Sequence, residues 1–101
     1  MPEKRYVICL DPGHGGSDSG AVGPTGVQEK IVTLLVAIEV WRQLIRAGYE
    51  VFMTRDSDID VSLGRRVQMA NDRESDLFLS IHCNAHTDRA ANGTEIGRAH
   101  V

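Results

Sequence analysis

Apolar positions along the chain alternate between a strand-like and a helix-like spacing, and the changes mark its elements. Tyr6 to Leu10 is a short apolar, β-branched run stopped by Asp11-Pro12-Gly13, which predicts a buried strand closed by a turn. From Glu29 to Ala47, residues Ile31, Leu34, Leu35, Ile38, Trp41, Leu44 and Ile45 recur at three- and four-residue steps. That spacing predicts an amphipathic helix with Trp41 and Leu44 in its core-facing stripe and Gly48 closing its end. Tyr49 to Thr54 predicts a second strand, followed by the solvated stretch Arg55-Asp56-Ser57-Asp58. Ser62 is placed to cap a second, shorter helix whose inner face is expected at Leu63, Val67 and Ala70. Asp76 to His82, with Leu77-Phe78-Leu79, predicts a third strand.

The resulting order, β-α-β-α-β, predicts an α/β fold. A mostly parallel sheet is expected, covered on both faces in a three-layer α/β/α arrangement with right-handed crossovers, and truncated relative to a complete domain. Between the first strand and the first helix the chain carries Gly13, Gly15, Gly16, Gly20, Gly23 and Gly26 with Pro24. So long a loop in a compact domain is usually functional. Ligands of such sheets bind beyond the carboxyl ends of the strands. His14 and His82 both fall at such ends, and Glu29 falls where the loop meets the helix.

Composition narrows the function. The 101 residues, 42% hydrophobic and 25% charged, suit one small folded domain or a piece of a larger one. A net charge of -3 with scattered Lys and Arg excludes nucleic acid and anionic membranes as partners. The apolar stretch near the N-terminus is too short for a signal-peptide core, and no signal peptide or membrane span is expected. Cys9 and Cys83 are read as free thiols, Cys83 as a small packed residue facing away from His82.

Two histidines and a glutamate form a known donor set for a catalytic zinc ion, which needs N and O ligands and an open position for water. The residues are far apart and form no compact motif such as H-E-x-x-H. On residue types alone, a structural histidine and a glutamate interacting with the helix dipole remain open readings. Asp11 is a candidate to orient a ligand histidine from behind, with capping of the glycine-rich turn as the equal alternative. His86 reads as a surface-loop residue, and Arg55 and Arg66 as ion-pairing or capping groups. A nucleotide-binding loop is excluded by spacing, since Asp18 stands where the third glycine belongs and the helix begins only near Glu29.

A family resemblance decides among these readings. Asp11-Pro12-Gly13-His14-Gly15-Gly16, Asp18, Gly20-Ala21 and Gly26-x-x-Glu29-Lys30 resemble the opening of the zinc-dependent N-acetylmuramoyl-L-alanine amidases, the amidase 3 family. The likeness continues through Gly48-Tyr49-x-Val51, Thr54-Arg55-x-x-Asp58, Val61-Ser62-Leu63-x-x-Arg66, Ala70-Asn71 and Ser80-Ile81-His82-x-Asn84-Ala85. It implies that His14, Glu29 and His82 bind Zn2+, with Asp11 and Asn84 as candidates to support them. It also implies hydrolysis of the amide joining N-acetylmuramic acid to L-alanine, with peptidoglycan as the partner. The expected protein is a monomer, bacterial or phage, acting at the cell wall outside the cytoplasm after lysin-like release or another export route. A non-catalytic zinc- or wall-binding module is the alternative. The family's general base is a glutamate in a Glu-x-Gly-Phe type segment well after the second histidine, and residues 1–101 contain no such segment. Glu95 stands in a different context and is not assigned that role.

The resemblance covers residues 6 to 95 and then breaks. Glu95-Ile96-Gly97-Arg98-Ala99-His100-Val101 is the translation of GAG ATC GGA AGA GCA CAC GTC, which contains the start of a common sequencing adapter. Residues 1–95 are therefore expected to be the N-terminal portion of a single amidase catalytic domain, and residues 96–101 a non-native tail.

Overall fold

The computed structural model describes residues 5–83 and, as backbone, 94–97. Asn84 and His86 lie outside the described residues, as does the side chain of Glu95. The elements are strand β1 (Val7–Pro12), helix α1 (Glu29–Arg46), strand β2 (Glu50–Met53), helix α2 (Leu63–Asp72), strand β3 (Leu77–Ile81) and strand β4 (Thr94–Gly97). In the sheet they stand in the order β2-β1-β3-β4. The first three run parallel, as the alternation of strands with helices requires. β4 pairs antiparallel with β3, a strand the apolar pattern does not foretell, and it crosses the boundary expected after residue 95.

β1 is an inner strand of the described sheet, between β2 and β3. Its run of apolar residues fits a strand covered on both faces, and Cys9 and Leu10 have no exposed surface. Side chains alternate along a strand, so Ile8 and Leu10 face one side and Cys9 the other. Cys9 packs with Phe52 and with Ala70 of α2. The opposite face belongs to α1, where Trp41 and Ile38 border Met53, and Leu44 borders Ile8. The β1-α1-β2 connection steps one way and the β2-α2-β3 connection steps back across β1. With right-handed crossovers this puts the two helices on opposite faces.

Helix ends follow local chemistry. After Ala47, Gly48 takes φ 95, and the N–H groups of Gly48 and Tyr49 donate to the carbonyls of Ile45 and Leu44. This is the Schellman pattern, which needs a left-handed residue at the position of Gly48. α2 is capped by Ser62, whose side chain accepts the Arg65 N–H at 3.1 Å. α1 has no side-chain cap at Gln28. Instead the glycine-rich loop folds over its first turn, and Ala21 and Ser19 carbonyls accept from the N–H groups of Glu29 and Lys30.

The azimuth of both helices differs from the apolar stripe expected. On α1 the buried residues are Glu29, Thr33 and Ala37, whereas Leu35 is 62% exposed and Trp41 39%. The helix is apolar around much of its circumference, so periodicity alone does not select the face. Thr33 and Ala37, two small residues one turn apart, let the helix approach the sheet, and Thr33 Oγ1 donates to the Gly13 carbonyl at 2.8 Å. On α2, Ala70 is buried as expected but Leu63 and Val67 are exposed, and the inward residue beside Ala70 is Arg66. Arg66 reaches the end of β1, and that reach turns the helix. Among the described residues no helix is long and apolar enough to cross a membrane.

Candidate metal centre

Parallel pairing of β1 with β3 brings the two histidines together. Pro12 lies opposite Ile81, and the Gly13 N–H donates to the Ile81 carbonyl at 2.9 Å, so the chain leaves both strands side by side. His14 follows β1 and His82 follows β3. Their rings meet edge to face with centroids 5.2 Å apart. Glu29, the first residue of α1, points between them from the helix side. Glu29 Oε2 lies 3.0 Å from His14 Nε2 and 3.5 Å from His82 Nδ1. One donor atom from each of the three residues falls within 4.8 Å of the others. The pattern placed these three at one sheet edge, and the structure brings them together.

Glycines make room for the convergence. A Cβ on Gly13 would stand 2.5 Å from His82 Cε1, and one on Gly20 2.7 Å from His14 Cδ2 and 2.8 Å from Glu29 Oε1. His14 itself adopts φ 67, a left-handed conformation that residues with a Cβ rarely take and that concentrates at functional sites.

Each donor is held from behind. Glu29 Oε1 accepts the Ala21 N–H at 3.0 Å and Oε2 accepts the Cys83 N–H at 2.9 Å. Burial pushes the Glu29 carboxyl upward, but these two backbone donors, together with His14, outweigh it and hold the group below its usual range. A buried, ionised carboxylate is what a cation site requires. His14 Nδ1 contacts Asp18 Oδ2 at 2.9 Å, and that hydrogen bond is the main reason the Asp18 carboxyl sits below its usual value. His82 Nε2 contacts Ser80 Oγ at 3.0 Å.

Asp11 is buried and does not touch a histidine. It is linked to His82 only through Ser80, whose Oγ donates to Asp11 Oδ2 at 2.8 Å. Arg66 pairs with Asp11 at 2.8 Å and donates to the carbonyls of Pro12, His14 and Val61. Arg55 donates to the carbonyls of Pro12, Gly13 and Lys30. Both arginines thus scaffold the turn that carries His14, as the ion-pairing or capping reading expects. Cys83 is a correction: it is exposed rather than packed, because β3 ends at Ile81 and alternation no longer constrains it. Residue types did not single out Asp18 or Ser80. The i, i+4 spacing of His14 and Asp18, and the i, i+2 spacing of Ser80 in β3 and His82 just past its end, are the signals that find them.

A second loop locks the first. Gly16 N–H donates to Asp58 at 2.7 Å, Ser17 Oγ to Asp60 at 2.6 Å, and Lys30 Nζ to Asp58 at 2.9 Å. A cavity of about 310 Å³ opens beside the site, bordered by His14, His82, Asp18, Val61 and Leu63. A hollow of similar size between Ile38, Trp41, Met53 and Asp56 lies away from the histidines and contains no cluster of ligating groups.

Fold and site define a class: an α/β protein with a His–Glu–His donor set able to hold one metal ion at the carboxyl ends of β1 and β3. Its sequence matches the N-acetylmuramoyl-L-alanine amidase family, amidase 3, over residues 8–98, and the chain belongs to that family. It is 50% identical over 93 residues to N-acetylmuramoyl-L-alanine amidase AmiC of Neisseria meningitidis, covering 92% of this chain and 22% of that protein. It is 44% identical over 94 residues to LytC of Bacillus subtilis, covering 93% of this chain and 19% of that protein. Among solved structures, amidase AmiC2 of Nostoc punctiforme superposes with a TM-score of 0.80 at 39% identity, covering 87% of this chain and 49% of that one. The catalytic domain of CwlV from Paenibacillus polymyxa superposes with a TM-score of 0.78 at 36% identity, covering 85% and 49%. The chain thus spans about a fifth of the length of these sequence relatives and about half of these solved chains.

Proposed function

We propose that this chain carries the metal-binding part of a zinc-dependent N-acetylmuramoyl-L-alanine amidase. The reaction is hydrolysis of the amide between N-acetylmuramic acid and the L-alanine of the stem peptide. The observation that carries the reading is the approach of His14 Nε2, Glu29 Oε2 and His82 Nδ1 to one point beside an open cavity. Two imidazole nitrogens and one carboxylate oxygen suit zinc, whereas calcium and magnesium prefer all-oxygen shells. When bound, such an ion lowers the pKa of its water to about 7 and polarises a carbonyl. The chain's own residues do the rest. Glu29 supplies negative charge, kept ionised by the Ala21 and Cys83 N–H groups. Asp18 and Ser80 hold the far nitrogens of the two rings, and the cavity past Val61 and Leu63 receives the muramyl peptide.

Proton transfer from the attacking water belongs to the glutamate of the Glu-x-Gly-Phe type segment that the family resemblance implies outside residues 1–101. In keeping with that, we read residues 1–95 as the N-terminal portion of the catalytic domain, working on the cell wall outside the cytoplasm. A native gene whose own codons encode Ile96 to Val101 would overturn the reading of residues 96–101 as a non-native tail. The lack of the base segment favours a second reading for the 101-residue chain alone, that of a metal-binding module without turnover.

The test uses the full-length protein. Chelation is expected to abolish muramyl-peptide cleavage and added zinc to restore it, with one zinc per chain by metal analysis. Full activity in His14→Ala or His82→Ala would reject the assignment.

A further inference from the structure

We propose that Asp11 and Ser80 are positioning residues that fix the tautomer of His82, so that its Nδ1, rather than its Nε2, is the metal-binding atom. The inference rests on the metal-centre reading above and follows from the direction of the hydrogen bonds. Asp11 Oδ1 accepts from Thr54 Oγ1 and Arg66 Nη1, both at 2.8 Å, and Oδ2 faces Ser80 Oγ at 2.8 Å. A carboxylate paired with a guanidinium has no proton to give, so Ser80 is the donor. A hydroxyl has one proton. With that proton directed at Asp11, Ser80 can only accept from His82 Nε2, 3.0 Å away. The ring proton therefore sits on Nε2, and the lone pair sits on Nδ1, the atom 3.5 Å from Glu29 Oε2.

His14 is arranged the opposite way, with Nδ1 on Asp18 and Nε2 toward Glu29. Opposite nitrogens of the two rings thus converge because opposite nitrogens are engaged behind them. Ser80 and Asp11 are both buried and border the cavity beside the two histidines. The His82 ring lies where a Cβ on Gly13 would clash with it and stands edge-on to His14. These contacts restrict its position, while the bond to Ser80 selects which nitrogen is bare.

The experiment reads the His82 ring nitrogens by 15N NMR in the metal-free full-length protein and measures Zn(II) affinity by chelator competition. Wild type is expected to carry the proton on Nε2. Ser80→Ala is expected to lose the single tautomer and to bind Zn(II) about 10- to 100-fold more weakly, whereas Ser80→Thr, which keeps the hydroxyl, restores both. A purely structural role for Ser80 would lower the unfolding midpoint and leave the tautomer as in wild type, which would overturn the proposal. So would a His82 protonated on Nδ1 in the wild-type protein, a reading that needs no variant to fold. Wild type that binds no Zn(II) yet holds His82 protonated on Nε2 would reject the metal-centre reading while upholding the tautomer assignment.

Discussion

Asp11 accepts hydrogen bonds from Thr54, Arg66 and Ser80 in a buried setting, and its charge is balanced by Arg66 alone among these donors. Removing one partner of a buried ion pair leaves an uncompensated charge, which costs about 3–5 kcal/mol. Arg66→Met is therefore expected to lower the unfolding free energy by about that amount in urea titrations, the more so because Arg66 also ties the Pro12 and His14 carbonyls. The cysteines differ by environment. Burial, and then the charge of Asp11, push the Cys9 thiol from 9.0 up to about 12, so it stays protonated in the folded state. A folded-state value above the unfolded one gives stability that is complete below about pH 9 and is lost as pH rises toward 12. The urea midpoint is expected to fall between about pH 8 and about pH 10.5, and less so in Cys9→Ala. Alkylation is expected at exposed Cys83 in the native protein, slowed near neutral pH because desolvation and the charge of Glu29 push its thiol upward, and at Cys9 only after denaturation.

At the scale of elements, capping separates the two helices. α2 depends on Ser62 for its first turn, and Ser62→Ala is expected to destabilise the protein by about 1 kcal/mol in chemical denaturation. α1 depends instead on loop carbonyls, so its start is bound to the order of residues 13–28. The first five elements were legible in the chain, and β4 was not. The run from Tyr6 to Leu10, the three- and four-residue steps after Glu29, and Gly48 mark β1, α1 and its end close to where they lie. The rotation of the helices was not legible. Leu63 and Val67 look like a core face until Arg66 is drawn inward by the carboxylate and carbonyls at the end of β1, a tertiary demand with no local signature. The same holds for Thr33, whose hydroxyl is drawn to the Gly13 carbonyl.

At the scale of the whole molecule, α1 leaves Ile31, Leu35, Ile38, Trp41 and Ile45 exposed. A contiguous apolar face of this kind marks either an interface or an association hazard. The monomer expected for the full protein is thus not expected of residues 1–101 on their own. Sedimentation of the isolated 101-residue chain should show concentration-dependent association, and Leu35→Glu combined with Ile45→Glu should reduce it; an isolated chain that remains monomeric at high concentration would refute this.

By itself the sequence determined the α/β class, the positions of the elements from β1 to β3 and the candidacy of His14, Glu29 and His82, because period, punctuation and ordered motifs are properties of neighbours along the chain. Only the tertiary structure decided that three donor atoms from these residues lie within 4.8 Å of one another. It also decided that Asp11 is linked to His82 through Ser80, that Asp18 contacts the His14 ring, and that Arg66 rather than Leu63 faces inward. The physical reason is that these relations depend on parallel pairing of β1 with β3 and on buried charges finding partners across the fold; local spacing nominates Asp18 and Ser80 as neighbours of the histidines but carries no sign of that pairing.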